Sequence, residues 1–187
     1  MDKVPRLIEA CRALILDVRR QPEVHPVRLS IVVLLAVLVG TAAACSNAMD
    51  AVKTRNIEIV ERQHAQLWGE GNLDLIPTDY SVDFTGHFPA GIVHGHAELL
   101  ARVEAHRTAF PDWTEVVDDV VAEGDRVVTR ITSRGTNLGE FLGKPATGKH
   151  VEISEACIYR LEDGKIVEQW VYPDFRSMQS QLGSDEP

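Results

Sequence analysis

The residues best placed to do chemistry lie in the last third of the chain. The run Asp163-Gly164-Lys165-Ile166-Val167-Glu168-Gln169-Trp170-Val171-Tyr172-Pro173-Asp174 opens on a turn and ends on a carboxylate. Asp-Gly between two apolar, β-prone runs predicts a hairpin, because Gly tolerates the positive φ of a type I′ turn. Side chains then alternate between faces with period two. A strand regular to its end would put Ile166, Glu168, Trp170, Tyr172 and Asp174 on one face. A carboxyl group against apolar walls has its charged form disfavoured, so its pKa rises toward the range useful for proton transfer. On this reading Asp174 is a general acid/base and Trp170 and Tyr172 are walls beside it. The alternative is that Asp174 follows Pro173 in a strand-ending turn.

The elements that must position these residues read as helices first, then strands. Ala51 to Trp68 places Ile57, Val60, Leu67 and Trp68 at roughly helical spacing, and Gly69-Glu70-Gly71-Asn72 ends that helix. Asn72 is positioned to cap a short second helix to about Pro77. Tyr80 to Pro89 is a short β-like run, and His96 to Arg107 fits a third helix stopped by Phe110-Pro111-Asp112. Four β-prone runs follow: 114–123, 126–136, 151–161 and 166–172. Gly124-Asp125 and Asp163-Gly164 are tight turns, and the Gly-rich segment 137–149 joins the second strand to the third. Helices followed by a strand meander predict an α+β layout, with helices covering one face of a curved antiparallel sheet.

Other side chains carry competing readings. Glu155 and Cys157 share a strand face with Ile153 and Tyr159. If that face points inward Glu155 is a second pocket carboxylate; otherwise it makes a salt bridge. Arg130 and Arg134 share a face and either meet an anionic ligand or pair with acids on neighbouring strands. His94 and His96 flank a helix start without an evident third metal ligand. His64 and His106 lie near apolar helix stripes. No Cys/His spacing suits zinc, so neither a metal nor a cofactor is expected.

Ser30 to Ala44 carries no charge, follows Arg19, Arg20 and Arg28, and ends in small residues before Cys45. That is the layout of a secretory signal, and its apolar core is shorter than the roughly 20 residues that span a bilayer. The alternative is an uncleaved N-terminal anchor helix. The expected organisation is a signal over 1–44, a linker over 45–50, one domain over 51–183 and a disordered tail over 184–187. Six of the 19 Lys+Arg and four of the 28 Asp+Glu lie in residues 1–44, so the remaining 143 residues carry 13 basic and 24 acidic side chains, a net charge of −11. Such a domain repels nucleic acid and anionic headgroups. Membrane attachment would come from the leader.

Several separated motifs carry resemblances. The ending at Cys45 resembles the lipobox of bacterial lipoproteins, with Ala42 where Leu is usual; this implies lipidation at Cys45 and export to a membrane surface. Phe110-Pro111-Asp112, Ala122 to Val128, Gly135-Thr136, Gly139 to Lys149, Asp163 to Trp170, Asp174 and Gln181-Leu182-Gly183 together resemble the SnoaL-like polyketide cyclase and ester cyclase family of the nuclear transport factor 2-like superfamily. The likeness covers roughly Val52 to Gly183. It implies a cone-shaped α+β barrel with a deep apolar pocket for an apolar or aromatic small molecule, and often a homodimer. It implies an intramolecular aldol closure without metal or cofactor, with Asp174 as acid/base in a Trp-x-x-x-Asp pattern. The enolate oxygen needs a donor, and His87 is the candidate. Trp68, Phe110 and Asn137 join Trp170 and Tyr172 as candidate substrate contacts. Asn137 stands where the family commonly has His, and Asn cannot titrate. Two functions are therefore expected as alternatives: a cyclase-, isomerase- or hydratase-type enzyme, or a non-catalytic, membrane-tethered binding domain.

Overall fold

A computed structural model describes residues 49–183. The expectations for the leader, for Cys45 and for the tail after Gly183 lie outside these residues. The chain divides into two units, Met1–Ala51 and Val52–Pro187, and the second carries the fold. Among the described residues no helix is long and apolar enough to cross a membrane.

The chain is α-helical over 49–62 (α1) and continues as a π-helix over Gln63–Glu70, closed by Gly71 at φ 77°. A short helix, α2 (Leu75–Asp79), leads into the hairpin β1 (Tyr80–Phe88) and β2 (Gly91–His94). Helix α3 (Gly95–Ala109) precedes a meander of long strands, β3 (Thr114–Glu123), β4 (Arg126–Thr136), β5 (His150–Glu162) and β6 (Lys165–Pro173). Helix α4 (Phe175–Leu182) closes the unit. The α+β class expected from the sequence is the one observed. The Asp163-Gly164 hairpin is present, with φ of 50° and 74° at its two central residues, as a type I′ turn requires.

The six strands form one sheet in the order β2-β1-β6-β5-β4-β3. The expected antiparallel meander over β3 to β6 is present, and β1 joins it in parallel with β6. They meet across more than 80 residues, and local sequence patterning does not encode the direction of so distant a pairing. The sequence reading also omitted β2 and α4. Bulges interrupt the ladders beside Asp118 on β3 and Val167 on β6, and such insertions bend a strand and increase its twist. The inner face of the bent sheet packs against α1, the π-helix and α3 through Val60, Leu67, Phe84, Leu99, Val103, Val127, Ile131 and Tyr159. A second apolar cluster joins Phe110, Trp113, Val151 and Ile153 to Met178 and Leu182 of α4. Gly135 is required there, since a Cβ would stand 2.6 Å from the Trp113 ring.

The quoted motifs now have physical roles. Asp112 receives the Thr136 backbone N–H at 2.6 Å and its hydroxyl at 2.7 Å, tying the α3–β3 turn to the end of β4. The Gln181 amide exchanges two hydrogen bonds with the Glu152 backbone, at 2.8 and 2.9 Å, and so fastens α4 to β5.

Candidate active site

A cavity of about 110 Å³ lies against the inner face of the sheet. Its walls are mostly apolar and aromatic: Trp68, Phe88, Trp113, Ile131, Phe141, Ile153, Val171 and Met178. His64, Arg102, His106, Glu115, Glu155 and Gln169 supply the polar groups.

A hydrogen-bond chain runs behind the cavity from Tyr80 to Glu115. Tyr80 Oη donates to Gln63 Oε1 at 2.9 Å, and Gln63 Nε2 donates to Tyr159 Oη at 2.6 Å. Gln169 Nε2 also donates to Tyr159 Oη, at 3.3 Å. With both lone pairs occupied, the Tyr159 hydroxyl gives its proton to His64 Nε2 at 2.9 Å. His64 Nδ1 therefore carries hydrogen and donates to Glu115 Oε2 at 2.5 Å, while Trp113 Nε1 donates to Glu115 Oε1 at 3.0 Å. Glu115 is thus an anchored carboxylate with two N–H partners. The π-helix places both His64 and Trp68 on the cavity wall, in keeping with the frequent use of π-helical turns at functional sites.

Glu155 stands in a different environment. It projects from β5 into the cavity, and its hydrogen-bond partner is the Ser133 hydroxyl, which donates to Oε1. Burial, reinforced by the nearby negative charge of Glu115, pushes its carboxyl up to about 8. His106, on α3, packs edge-on to Trp113 with centroids 4.7 Å apart and stacks on Phe110 at 5.4 Å. Burial lowers its pKa to about 4, which keeps the ring neutral. Two polar atoms here are buried without a partner, His106 Nε2 and Gln169 Oε1. Such orphans are uncommon in folded proteins, and both belong to cavity-lining residues. Among the described residues, no group of three His, Cys, Asp or Glu side chains could hold a metal ion.

A family model for the SnoaL-like polyketide cyclases matches residues 58–182. The chain belongs to the SnoaL-like polyketide cyclase family. Solved structures agree. A candidate SnoaL-like polyketide cyclase from Jannaschia sp. CCS1 is 28% identical, with a TM-score of 0.66 over 72% of this chain and 95% of that one. AclR from Streptomyces galilaeus, a candidate hydroxylase, is 31% identical, with a TM-score of 0.60 over 74% and 99%. IdmH from Streptomyces antibioticus, a candidate polyketide cyclase, is 31% identical, with a TM-score of 0.60 over 68% and 98%. No curated protein matches this chain.

In this SnoaL-like protein the structure separates the residues that the sequence had grouped. The bulge at Val167 reverses the alternation of β6. Ile166 and Gln169 are buried and Val171 lines the cavity, whereas Glu168, Trp170 and Tyr172 take the opposite face. Tyr172 is 57% exposed. Trp170 stacks on His87 with the rings 3° from parallel, under the Arg126 guanidinium. His87 Nε2 donates to Glu168 Oε1 at 3.0 Å, outside the cavity. Asp174 is exposed and is the N-cap of α4, accepting the Ser177 N–H at 3.0 Å. It lies beyond the strand and does not line the cavity. The expected juxtaposition of Asp174, Trp170 and Tyr172 is therefore corrected.

Trp68 does line the cavity, as expected of a substrate contact. Phe110 is fully buried behind it, against His106 and Phe141. Asn137 is committed to its own loop, donating to Gly139 O at 2.8 Å and accepting the Thr147 N–H at 2.8 Å, and it borders a neighbouring cavity shared with α4. Glu155 takes the inward alternative left open for it. Arg130 and Arg134 instead pair with Asp118, Asp119 and Glu152. The sequence reading gave no site role to His106, Glu115 or Gln169. The inward parity of Glu115 and Gln169 follows from the bulges, which period-two patterning does not reveal.

Proposed function

We propose that this domain performs acid–base chemistry next to a carbonyl group on a planar, largely apolar small molecule, the aldol-type closure expected of a polyketide cyclase, with Glu155 as the acid/base. The observation that carries this reading is a cavity-lining carboxyl whose pKa is pushed up to about 8. A carboxylate of that basicity takes a carbon-bound proton far better than an ordinary one, and catalysis is most efficient when the pKa lies near the working pH.

The steps follow from the groups in the cavity. The Glu155 carboxylate removes a proton from the carbon next to a carbonyl. The enolate oxygen that forms accepts a hydrogen bond from neutral His106 through Nε2–H, a weakly acidic donor of the kind that suits such an oxygen. The enolate carbon attacks a second carbonyl of the same molecule, and the new alkoxide recovers its proton from Glu155. The rings of Trp68, Trp113 and Phe141 hold the planar body. The hydrogen bonds from His64 and Trp113 hold the Glu115 carboxyl in place, and its charge helps to hold the Glu155 proton.

The test uses α-hydrogen exchange of 1-tetralone in D₂O, followed by proton NMR with the full chain. Glu155→Gln should slow the protein-dependent exchange by about 100-fold or more, while Asp174→Asn, which keeps a good helix cap, should leave it intact. Unchanged exchange in a folded Glu155→Gln protein would refute the assignment.

A further inference from the structure

The cationic side chains of this domain are mostly compensated. Arg62 pairs with Asp79, Arg130 with Asp118 and Asp119, Arg134 with Glu152, and Arg160 with Glu162 and Glu168. Arg107 spends its guanidinium on the carbonyls of Gly69, Pro111 and Trp113. Arg102, which lines the cavity, differs from all of these. Its guanidinium lies over the Phe88 ring, 5.5 Å from the centroid, and among the described residues no carboxylate pairs with it. This occurs in a region with 24 acidic and 13 basic residues, where an acidic partner would be easy to supply. Pro89 and Ala90, on the same part of the wall, are exposed, so Arg102 belongs to the open rim.

The opposite requirement stands deeper. Gln169 is 2% exposed, its amide nitrogen is committed to Tyr159, and its Oε1 is buried with no partner. That oxygen is a pure acceptor on a residue that lines the cavity. A buried acceptor left unmet is destabilising, and a ligand hydroxyl removes that cost.

We propose that the ligand is a hydroxylated, planar carboxylic acid, bound with its carboxylate on Arg102 at the rim and its hydroxyl on Gln169 Oε1 inside. The aromatic walls accept the body between these two ends. This assignment deepens the acid–base reading and uses the same cavity, but it concerns recognition rather than proton transfer. It distinguishes an acid from a neutral ester.

The experiment is a fluorescence titration of the full chain with 6-hydroxy-2-naphthoate, its methyl ester and 2-naphthoate. The native protein should bind the acid about tenfold more tightly than the ester, the effect of one charge-assisted contact. Arg102→Gln, at a partly exposed helix position, should erase that preference while leaving ester binding unchanged, and Arg102→Lys should restore part of it. Gln169→Leu should erase the preference for the hydroxylated acid over 2-naphthoate. Equal or tighter ester binding, an acid preference that survives Arg102→Gln, or no binding of any of the three would overturn the proposal. Exchange of 1-tetralone, measured on the same preparations, separates the two readings. Loss of acid preference with Glu155-dependent exchange intact bears on recognition alone; absence of exchange with the acid preference present bears on catalysis alone.

Discussion

Glu155 and Glu168 sit on adjacent strands of one sheet, yet they face opposite sides of it and have opposite electrostatics. Glu168 accepts from His87 at 3.0 Å and from Arg160 at 3.2 Å. The His87 hydrogen bond, with help from Arg160, holds its carboxyl below the usual range. Glu155 has the Ser133 hydroxyl and a negative neighbour, and its carboxyl is pushed up to about 8. On the outer face acids are matched by Arg and His across the strands, as Asp118, Asp119 and Glu152 also are. On the inner face Glu155 meets a hydroxyl and another acid in place of a cation. Residue type and strand propensity are the same in the two cases. The difference comes from which side of the sheet is wet and which charges it meets.

The comparison can be broken most severely at the inner face. His64→Ala would leave the Glu115 carboxylate and the Tyr159 hydroxyl without their shared partner. Leaving buried polar partners unmet costs about 1–3 kcal/mol each, so urea denaturation should show a clear fall in stability or a failure to fold.

A smaller effect with a definite sign comes from Glu155. Its native pKa of about 8 exceeds its unfolded value of 4.5. Between those pH values the native state holds a proton that the unfolded state releases, so stability falls as pH rises through this window. His106 acts the other way. Its native value near 4 lies below 6.5, and stability falls as pH drops from 6.5 toward 4. Above about pH 6.5 only the Glu155 slope remains from this pair. Glu155→Gln should flatten the decline of Tm between pH 6.5 and 8, an interval over which the Glu155 proton accounts for about 2 kcal/mol, and its effect should be smallest near pH 5. A mutant that declines in parallel with the native protein would remove the contrast between the two glutamates.

The next effect is at the chain position first suspected of catalysis. Asp174→Ala should cost about 1 kcal/mol through loss of the α4 cap, with 1-tetralone exchange retained; loss of exchange without unfolding would return Asp174 to the chemistry. The smallest effect is expected at the outer face. Glu168→Gln should change stability by about 1 kcal/mol or less and leave ligand binding untouched. Chemical denaturation and naphthoate titration of the same sample would check both parts.

Much of the architecture was legible in the residues. The Asp163-Gly164 turn, the four long strands and the three helices through Arg107 follow from turn chemistry and periodicity, which are local properties. The cavity was legible only as an implication of the family likeness. Two features escaped for one reason. The Val167 bulge inserts a single residue, and a shift of one residue moves every later side chain to the other face. It sent Trp170 and Tyr172 outward and brought Gln169 in. Asp174 was read as a continuation of that strand, although Pro173 ends it and a helix begins.

The sequence by itself determined the α+β class, the acidic charge and the family, because these rest on composition, local propensity and motif order. Tertiary structure decided which carboxylate is buried in the cavity, which histidine is left unpartnered there, and that β1 runs parallel to β6. Those outcomes depend on bulges, on long-range pairing and on the removal of water from one face, and none of these acts between neighbours in the chain.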